Sequence, residues 1–498
     1  MSPSLAERRP PAPSGVDAST SAADRLRWTG FGGVLLLVAA AWAGAVTAPS
    51  SAPATAALAA GIAGAAVLVL SWALLGRTPP SPQRLRWTLA LWCAPLLVAP
   101  PLFSRDVFSY LAQGEIAARG LDPHALGPAT ALGAASEIVG RVGPQWRDTP
   151  SPYGSLFGAV QRLIAQVSAG DPLVGVLLHR LVAVLGLVLV VWAVPRLAVL
   201  AGGAPRTALW LGVLNPLVLW HLVAGVHNDS LMLGLMLTGA VVALEALRER
   251  IEWGPLALGV VLVALGAEVK LPALLALAVV GTALARRRGG TVGDLVLAGA
   301  GTLLAFVAVC GAVSLLTGLG FGWVRTLGTS GQVDSWLAPT NWFGFLTGGV
   351  GAVFGAQITP VMIGVGRTLG CVLAVGGIAL VLRAQLRGRI GGVASLGAVL
   401  GLFVVLGPVV QPWYLLWAVV PLAACPLPGR ARTGLAALVA VFALLVPPLA
   451  GDFSGRAGQL VTGYAIGALL AGAALPLLRG TGLLLGHRPR FTGPVVGR

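Results

Sequence analysis

One carboxylate, Asp106, stands in the segment Phe103-Ser-Arg-Asp-Val-Phe-Ser-Tyr110, where a very apolar run ends and the longest polar connection of the chain begins. A carboxylate fixed at the mouth of a membrane bundle can take the proton from an incoming hydroxyl, which is the work of a general base. Its neighbour Arg105 can meet a phosphate, because a guanidinium makes charge-assisted hydrogen bonds to phosphate oxygens. The same aspartate also reads as a helix cap, or as an interfacial partner of Arg105. Ionisable groups at the end of a membrane span are functional candidates by default.

Other polar groups punctuate the apolar runs in the same way. His221 lies in the stretch 215–229 and reads either as a membrane histidine bonded to a carbonyl or as a site residue. His227-Asn228-Asp229 puts three polar groups in one tight turn, with donors and an acceptor suited to sugar hydroxyls, although Asn228 or Asp229 also reads as the cap of a helix beginning at Ser230. Lys270, the one lysine of the chain, sits between two apolar runs with Glu268 nearby. It reads as a Lys–Glu pair or as a compact cation beside a phosphate. Arg180, preceded by His179, carries the same two readings. Gln411-Pro-Trp413-Tyr414 offers aromatic faces that mark a membrane interface or pack against sugars and isoprenyl chains. The four cysteines, at 93, 310, 371 and 425, show no CxxC and no histidine at ligand spacing, so packing explains them better than zinc or disulfides. Walker A, GxGxxG, HExxH and DxD patterns are absent. ATP-driven transport, nicotinamide chemistry and zinc hydrolysis therefore have no sequence handle.

The elements that must position these residues are membrane helices. With 56% apolar and 10% charged residues among 498, and a mean hydropathy of +0.87, a soluble domain of this size is excluded. The net charge of +16 is spread between apolar runs rather than gathered in one basic domain, so it reads as a topology signal and not as nucleic-acid binding. The expected fold is an all-α polytopic membrane protein, a bundle of about 12–14 transmembrane helices with short external amphipathic helices. The expected spans lie near 31–48, 56–75, 87–103, 173–195, 207–224, 230–247, 254–269, 271–285, 295–316, 360–382, 393–410, 412–425, 433–449 and 460–478. With the N-terminus cytoplasmic, Arg77, Arg84, Arg86, Arg196, Arg206, Arg248, Arg250, Arg286–Arg288, Arg383, Arg387, Arg389, Arg430 and Arg432 all fall on one face. That bias makes 104–171, 225–230, 317–359 and 411–414 external. The chain divides into a disordered cytoplasmic tail (1–27), N-terminal transmembrane helices (28–103), an external catalytic loop with interfacial helices near 111–119 and 156–167 (104–171), a transmembrane bundle (172–478) and a cytoplasmic C-terminal tail (479–498). The first apolar run is expected to be retained, and no tandem repeat is evident.

The segments Phe-Ser-Arg-Asp-Val-Phe-Ser-Tyr-Leu-Ala-Gln-Gly (103–114), Gly-Leu-Asp-Pro-His (120–124), Thr-Pro-Ser-Pro-Tyr-Gly (149–154), Asn-Pro-Leu-Val-Leu-Trp-His (215–221), His-Asn-Asp (227–229) and Gln-Pro-Trp-Tyr (411–414) together carry a resemblance. From about residue 30 to 478 the chain resembles the actinobacterial polyprenol-phosphomannose-dependent α-1,6-mannosyltransferases of lipomannan and lipoarabinomannan synthesis, of the MptA and MptB type. The resemblance implies transfer of mannose from polyprenyl phosphomannose to a lipid-anchored mannan, with MptB-like initiation favoured over MptA-like elongation. It implies a GT-C-type bundle in which Asp106 matches the acidic catalytic residue of the first external loop. By their own chemistry Arg105, Arg180 and Lys270 are the candidates to meet the donor phosphate, and Tyr110, Asp122, His124, Tyr153, His221, His227, Asn228, Asp229, Gln411, Trp413 and Tyr414 those to meet sugar or acceptor. This chain carries His124 where the family often has Tyr. No cofactor is implied, and a divalent metal requirement stays open. Nucleotide sugars are cytoplasmic, so a site on the external face of the plasma membrane is expected to use a lipid-linked donor, and one displacement would invert the anomeric centre. A polyprenyl-lipid carrier or flippase, and an arabinofuranosyltransferase of the same fold, are the alternatives; a carrier would be expected to show paired inverted repeats.

Overall fold

The computed structural model describes residues 15–476 except 79 and 452, and over this range the chain is all-helical. Each apolar run of the sequence falls on a helix. Among the described residues five helices are long and apolar enough to cross a membrane, at Ser21–Ala45, Ala52–Leu75, Pro172–Ala201, Val292–Thr317 and Thr359–Leu386. Pro205–Val213 and Val218–Ala224 are together apolar and long enough to pass the same test but are bent by 61° at the break between them, as in a broken span or a re-entrant loop. Shorter apolar helices, including Trp253–Val269, Gly392–Leu406 and Ala457–Ala473, complete the bundle. Small residues let them approach closely. A methyl group on Gly33 would come within 2.7 Å of the Gly64 carbonyl oxygen, which is why the first two long helices can pack along each other.

Helix ends differ from the expected spans by several residues, as at Pro82–Leu96 and Gly429–Leu445, and two stretches change character. The first helix runs Gly15–Ala45, so the stretch 15–27 expected as disordered tail is helical. Its Ala-rich composition favours helix, and Asp24 pairs with Arg84 of the helix Pro82–Leu96 at 2.5 Å. Residues 1–14 and the C-terminal tail lie outside the described residues. The stretch 317–359, expected as connection only, contains the helix Pro339–Val353, which packs against Thr359–Leu386 through close glycine contacts at Gly344 and Gly348.

The bent helix pair positions the site. Pro216 cannot donate a backbone hydrogen bond, and Asn215 compensates: its amide donates to the Leu211 carbonyl and its side-chain oxygen accepts from the Leu217 N–H, both at 2.9 Å. Beyond the break, Val218–Ala224 is wound as a π-helix, and Arg180 reaches from the helix Pro172–Ala201 to its end. The guanidinium donates to the carbonyls of Val223 (3.3 Å), Ala224 (3.4 Å) and Leu97 (2.7 Å). One buried cation thus closes the carbonyl ends of two helices.

The basic connections meet each other. Arg206 donates to the Thr78 carbonyl at 2.5 Å, Arg287 to the Glu249 carbonyl, and Arg286 lies against Gly388.

Candidate active site

Asp106 is the first residue of the helix Asp106–Ala118, whose N-cap is Arg105 and makes no side-chain cap bond. The capping reading of this carboxylate is therefore replaced. Its side chain, 21% exposed, lies 3.5 Å from Nδ1 of the fully buried His227. Burial pushes the Asp106 carboxyl up, to about 6, against the pull of Lys270 and of hydrogen bonds from Ser104 and Trp146. Burial, with His221 and Lys270 adding to it, drives His227 well below its ordinary value. That shift favours the neutral ring, so the 3.5 Å approach to Asp106 does not count as an ion pair.

The backbone around both residues is unusual. Phe103 (φ 62°) and Val226 (φ 59°) occupy the left-handed region that bulky and β-branched residues avoid. Surrounding structure holds them: Phe103 donates its N–H to the Pro448 carbonyl at 2.9 Å and stacks on Trp220 with ring centroids 5.2 Å apart, and Leu102 donates to the Ala224 carbonyl. Local strain of this kind clusters where side chains must be aimed.

Asp229 begins the helix Asp229–Glu245, and Asn228 at its N-cap makes no side-chain cap bond. The Asp229 carboxylate is fully buried and used on both oxygens. Oδ2 accepts from Lys270 Nζ at 2.8 Å, and Oδ1 accepts from the Trp417 indole at 2.7 Å. Lys270 also lies over the rings of Tyr414 (4.7 Å) and Trp417 (5.5 Å), which stack on each other at 4.1 Å. Burial acts to lower the Lys270 ammonium, but Asp229, Tyr414 and Tyr153 outweigh it and hold the group above its ordinary range. The Lys–Glu pairing is corrected: Glu268 instead accepts from the Leu156 N–H at 3.4 Å, at the start of the helix Ser155–Ser168.

A nitrogen-rich wall completes the group. The Trp413 ring packs on His227 (3.9 Å) and lies 5.2 Å from His221, while the Tyr110 hydroxyl donates to Asn228 Oδ1 at 3.4 Å. Tyr153 meets Tyr110 edge-on at 5.5 Å. Both ring nitrogens of His227, Nδ1 of His221, Nδ2 of Asn228 and Nε1 of Trp413 are buried without a hydrogen-bond partner. Buried polar atoms are rarely left so, and together they present donors and acceptors of the kind that bind a polyol.

The structure therefore gathers Asp106, Tyr110, Tyr153, His221, His227, Asn228, Asp229, Lys270, Trp413 and Tyr414. It does not bring in the others. Arg180 is 2% exposed, and each of its three nitrogens donates to one of the three carbonyls. Arg105 turns toward the short helix Glu137–Arg141 and donates to the carbonyls of Arg141 (2.8 Å) and Gly140 (3.1 Å). Asp122 accepts from the His124 N–H at 2.8 Å, and the His124 ring contacts the Ser151 carbonyl at 3.0 Å, so both shape their loop. Gln411 precedes the turn Pro412–Tyr414, its carbonyl accepting from the Tyr414 N–H. Two members went unnoticed in the sequence, Trp146 and Trp417. Trp417 sits inside an apolar run, where the sole signal is an aromatic three residues after Tyr414. Among the described residues no group of three or more His, Cys, Asp or Glu is arranged to hold a metal ion.

The chain matches the sequence models for the N-terminal domain of alpha-(1->6)-mannopyranosyltransferases over residues 27–286 and for the MptB C-terminal domain over 340–476. It is 43% identical over 415 residues to the "Probable alpha-(1->6)-mannopyranosyltransferase" of Mycolicibacterium smegmatis, covering 78% of this chain and 74% of the relative. An alpha-(1->6)-mannopyranosyltransferase of Mycobacterium tuberculosis is 41% identical over 72% of this chain and 69% of its own length. Alpha-(1->6)-mannopyranosyltransferase B of Corynebacterium glutamicum is 35% identical over 72% of this chain and 64% of its own length. No solved structure matches. With two sequence models spanning most of its length and relatives of this identity along nearly three quarters of it, the chain belongs to the alpha-(1->6)-mannopyranosyltransferase family.

Proposed function

We propose that this protein transfers mannose from polyprenyl phosphomannose to a lipid-anchored mannoside, forming an α-1,6 linkage with inversion, at a site on the external face of the plasma membrane. The observation that carries this reading is the placement in one group of residues of the carboxylate Asp106, 3.5 Å from His227, and a separate cation, Lys270, held by Asp229 at 2.8 Å. The acceptor hydroxyl attacks the anomeric carbon while Asp106 takes its proton. The bond from that carbon to the phosphate oxygen breaks, and polyprenyl phosphate leaves as an anion beside Lys270, needing charge rather than protonation. The unpartnered nitrogens of His221, His227, Asn228 and Trp413 suit the hydroxyls of a mannose ring.

One observation supports initiation over elongation: the C-terminal stretch matches an MptB domain. The external placement draws support from the contacts among the arginine-rich connections, none of which includes a site residue.

The test is incubation of purified protein with polyprenyl phosphomannose and lipid-anchored acceptors of graded length. α-1,6-Mannose added to the shortest acceptor is expected. Transfer from a nucleotide sugar, or movement of the lipid with no sugar transfer, would overturn the reading in favour of another donor or a carrier.

A further inference from the structure

We propose that Trp417 is a positioning residue for the donor-phosphate contact: its indole N–H fixes the second oxygen of Asp229, so that Asp229 holds Lys270 in one place. This rests on reading Lys270 as the phosphate contact. Three observations carry it. The Asp229 carboxylate is fully buried, and its two oxygens are divided between Lys270 (2.8 Å) and the indole (2.7 Å). The ammonium also lies against the rings of Tyr414 (4.7 Å) and Trp417 (5.5 Å). An ammonium has three N–H donors and Asp229 takes one, so the remaining donors can serve Tyr414 and an incoming phosphate oxygen.

Asp229 and Lys270 belong to the stretch matched by the N-terminal family domain, and Trp417 to the stretch matched by the C-terminal one. The helix Leu415–Ala423 therefore contributes to phosphate binding through a residue that need not touch the donor. Without the indole, one oxygen of a buried carboxylate loses its donor, and the cheapest repair is for Asp229 to turn further onto Lys270. That movement draws the ammonium away from the phosphate.

The experiment uses the full chain in detergent and farnesyl phosphate as probe, with titrated affinity read alongside donor KM and kcat. Trp417→Phe keeps an aromatic ring on Tyr414 and removes the donor together with part of the indole's buried volume, so the Trp417→His comparison isolates the donor. It is expected to weaken farnesyl phosphate binding and raise donor KM by about tenfold to a hundredfold, the value of one hydrogen bond to a charged group, with kcat changed less than threefold. Trp417→His, which retains a ring N–H, is expected to recover most of that affinity. In an Asp229→Asn background, Trp417→Phe is expected to add little, since the two act as one unit. Independent, multiplying losses, or a fall in kcat with farnesyl phosphate affinity unchanged, would overturn the assignment. If Trp417→Phe does not accumulate folded, a Trp417→His protein as weak in binding as Asp229→Asn overturns it equally. Should the parent protein itself fail to bind farnesyl phosphate, the phosphate role of Lys270 falls first and takes this inference with it.

Discussion

Asp106 keeps its proton longer than a solvated carboxyl because burial penalises its charge, and that fixes the direction of its pH dependence. A base must be deprotonated, so kcat/KM is expected to rise as pH rises through about 6 and then level off. Stability runs the other way. The unfolded chain releases this proton near 3.8 and the folded one near 6, so folding takes up a proton between them and this group's contribution falls as pH rises across that window. Asp106→Asn is accordingly expected to lower transfer by about 10² to 10⁴ without lowering the thermal midpoint at pH 7. Transfer within threefold of the parent would remove Asp106 as the base. The two buried cations are expected to separate cleanly. Lys270→Met should weaken farnesyl phosphate binding by about one to two decades. Arg180→Met should instead destabilise the fold by about 3 kcal/mol or more, because three carbonyls lose a charged donor. Donor affinity lost in a folded Arg180→Met protein would return that arginine to the site.

The bent helix pair 205–224 is the element on which the site hangs. Its end places His221 and, through Val226, aims His227 at Asp106. Asn215 replaces backbone bonds that Pro216 forfeits, so Asn215→Ala is expected to cost about 1–3 kcal/mol and to slow transfer while leaving farnesyl phosphate affinity within threefold. An unchanged thermal midpoint would show that the bend supports itself. At this scale the sequence was readable where residue chemistry is rare against its surroundings: a lone lysine and a His-Asn-Asp turn stand out between apolar runs. It was not readable where partners are distant. Arg180 reads as an available cation because nothing local shows the carbonyls of Leu97, Val223 and Ala224 converging on it. Trp417 reads as one more apolar residue because its partner Asp229 is 188 positions away. The helix Pro339–Val353 hid for another reason, being Gly-rich and shorter than a span, so that its glycines read as loop when they serve close packing.

Across the whole molecule, the basic connections and the site residues form separate groups, and the membrane orientation follows if the arginines are cytoplasmic. In a background lacking Cys93, Cys310, Cys371 and Cys425, a cysteine at exposed Ala135 is expected to react with an impermeant maleimide on intact cells, and one at exposed Gly289 only after lysis. Reversed labelling would put the site in the cytoplasm and remove the case for a lipid-linked donor. The division of the Asp229 contacts has a consequence in time. The carboxylate is synthesised 41 residues before its ammonium partner and 188 residues before its indole partner. At about 5–20 residues per second, the nascent bundle carries an unpaired acid for about 2–8 s and then, until Trp417 is made, a half-paired one for about 7–30 s. Lys270 therefore emerges early enough to neutralise the helix as it settles in lipid, whereas the indole arrives when most of the bundle is already inserted. A ribosome that stops before codon 417 would release a membrane-seated chain with its charge balanced and its phosphate contact unfixed.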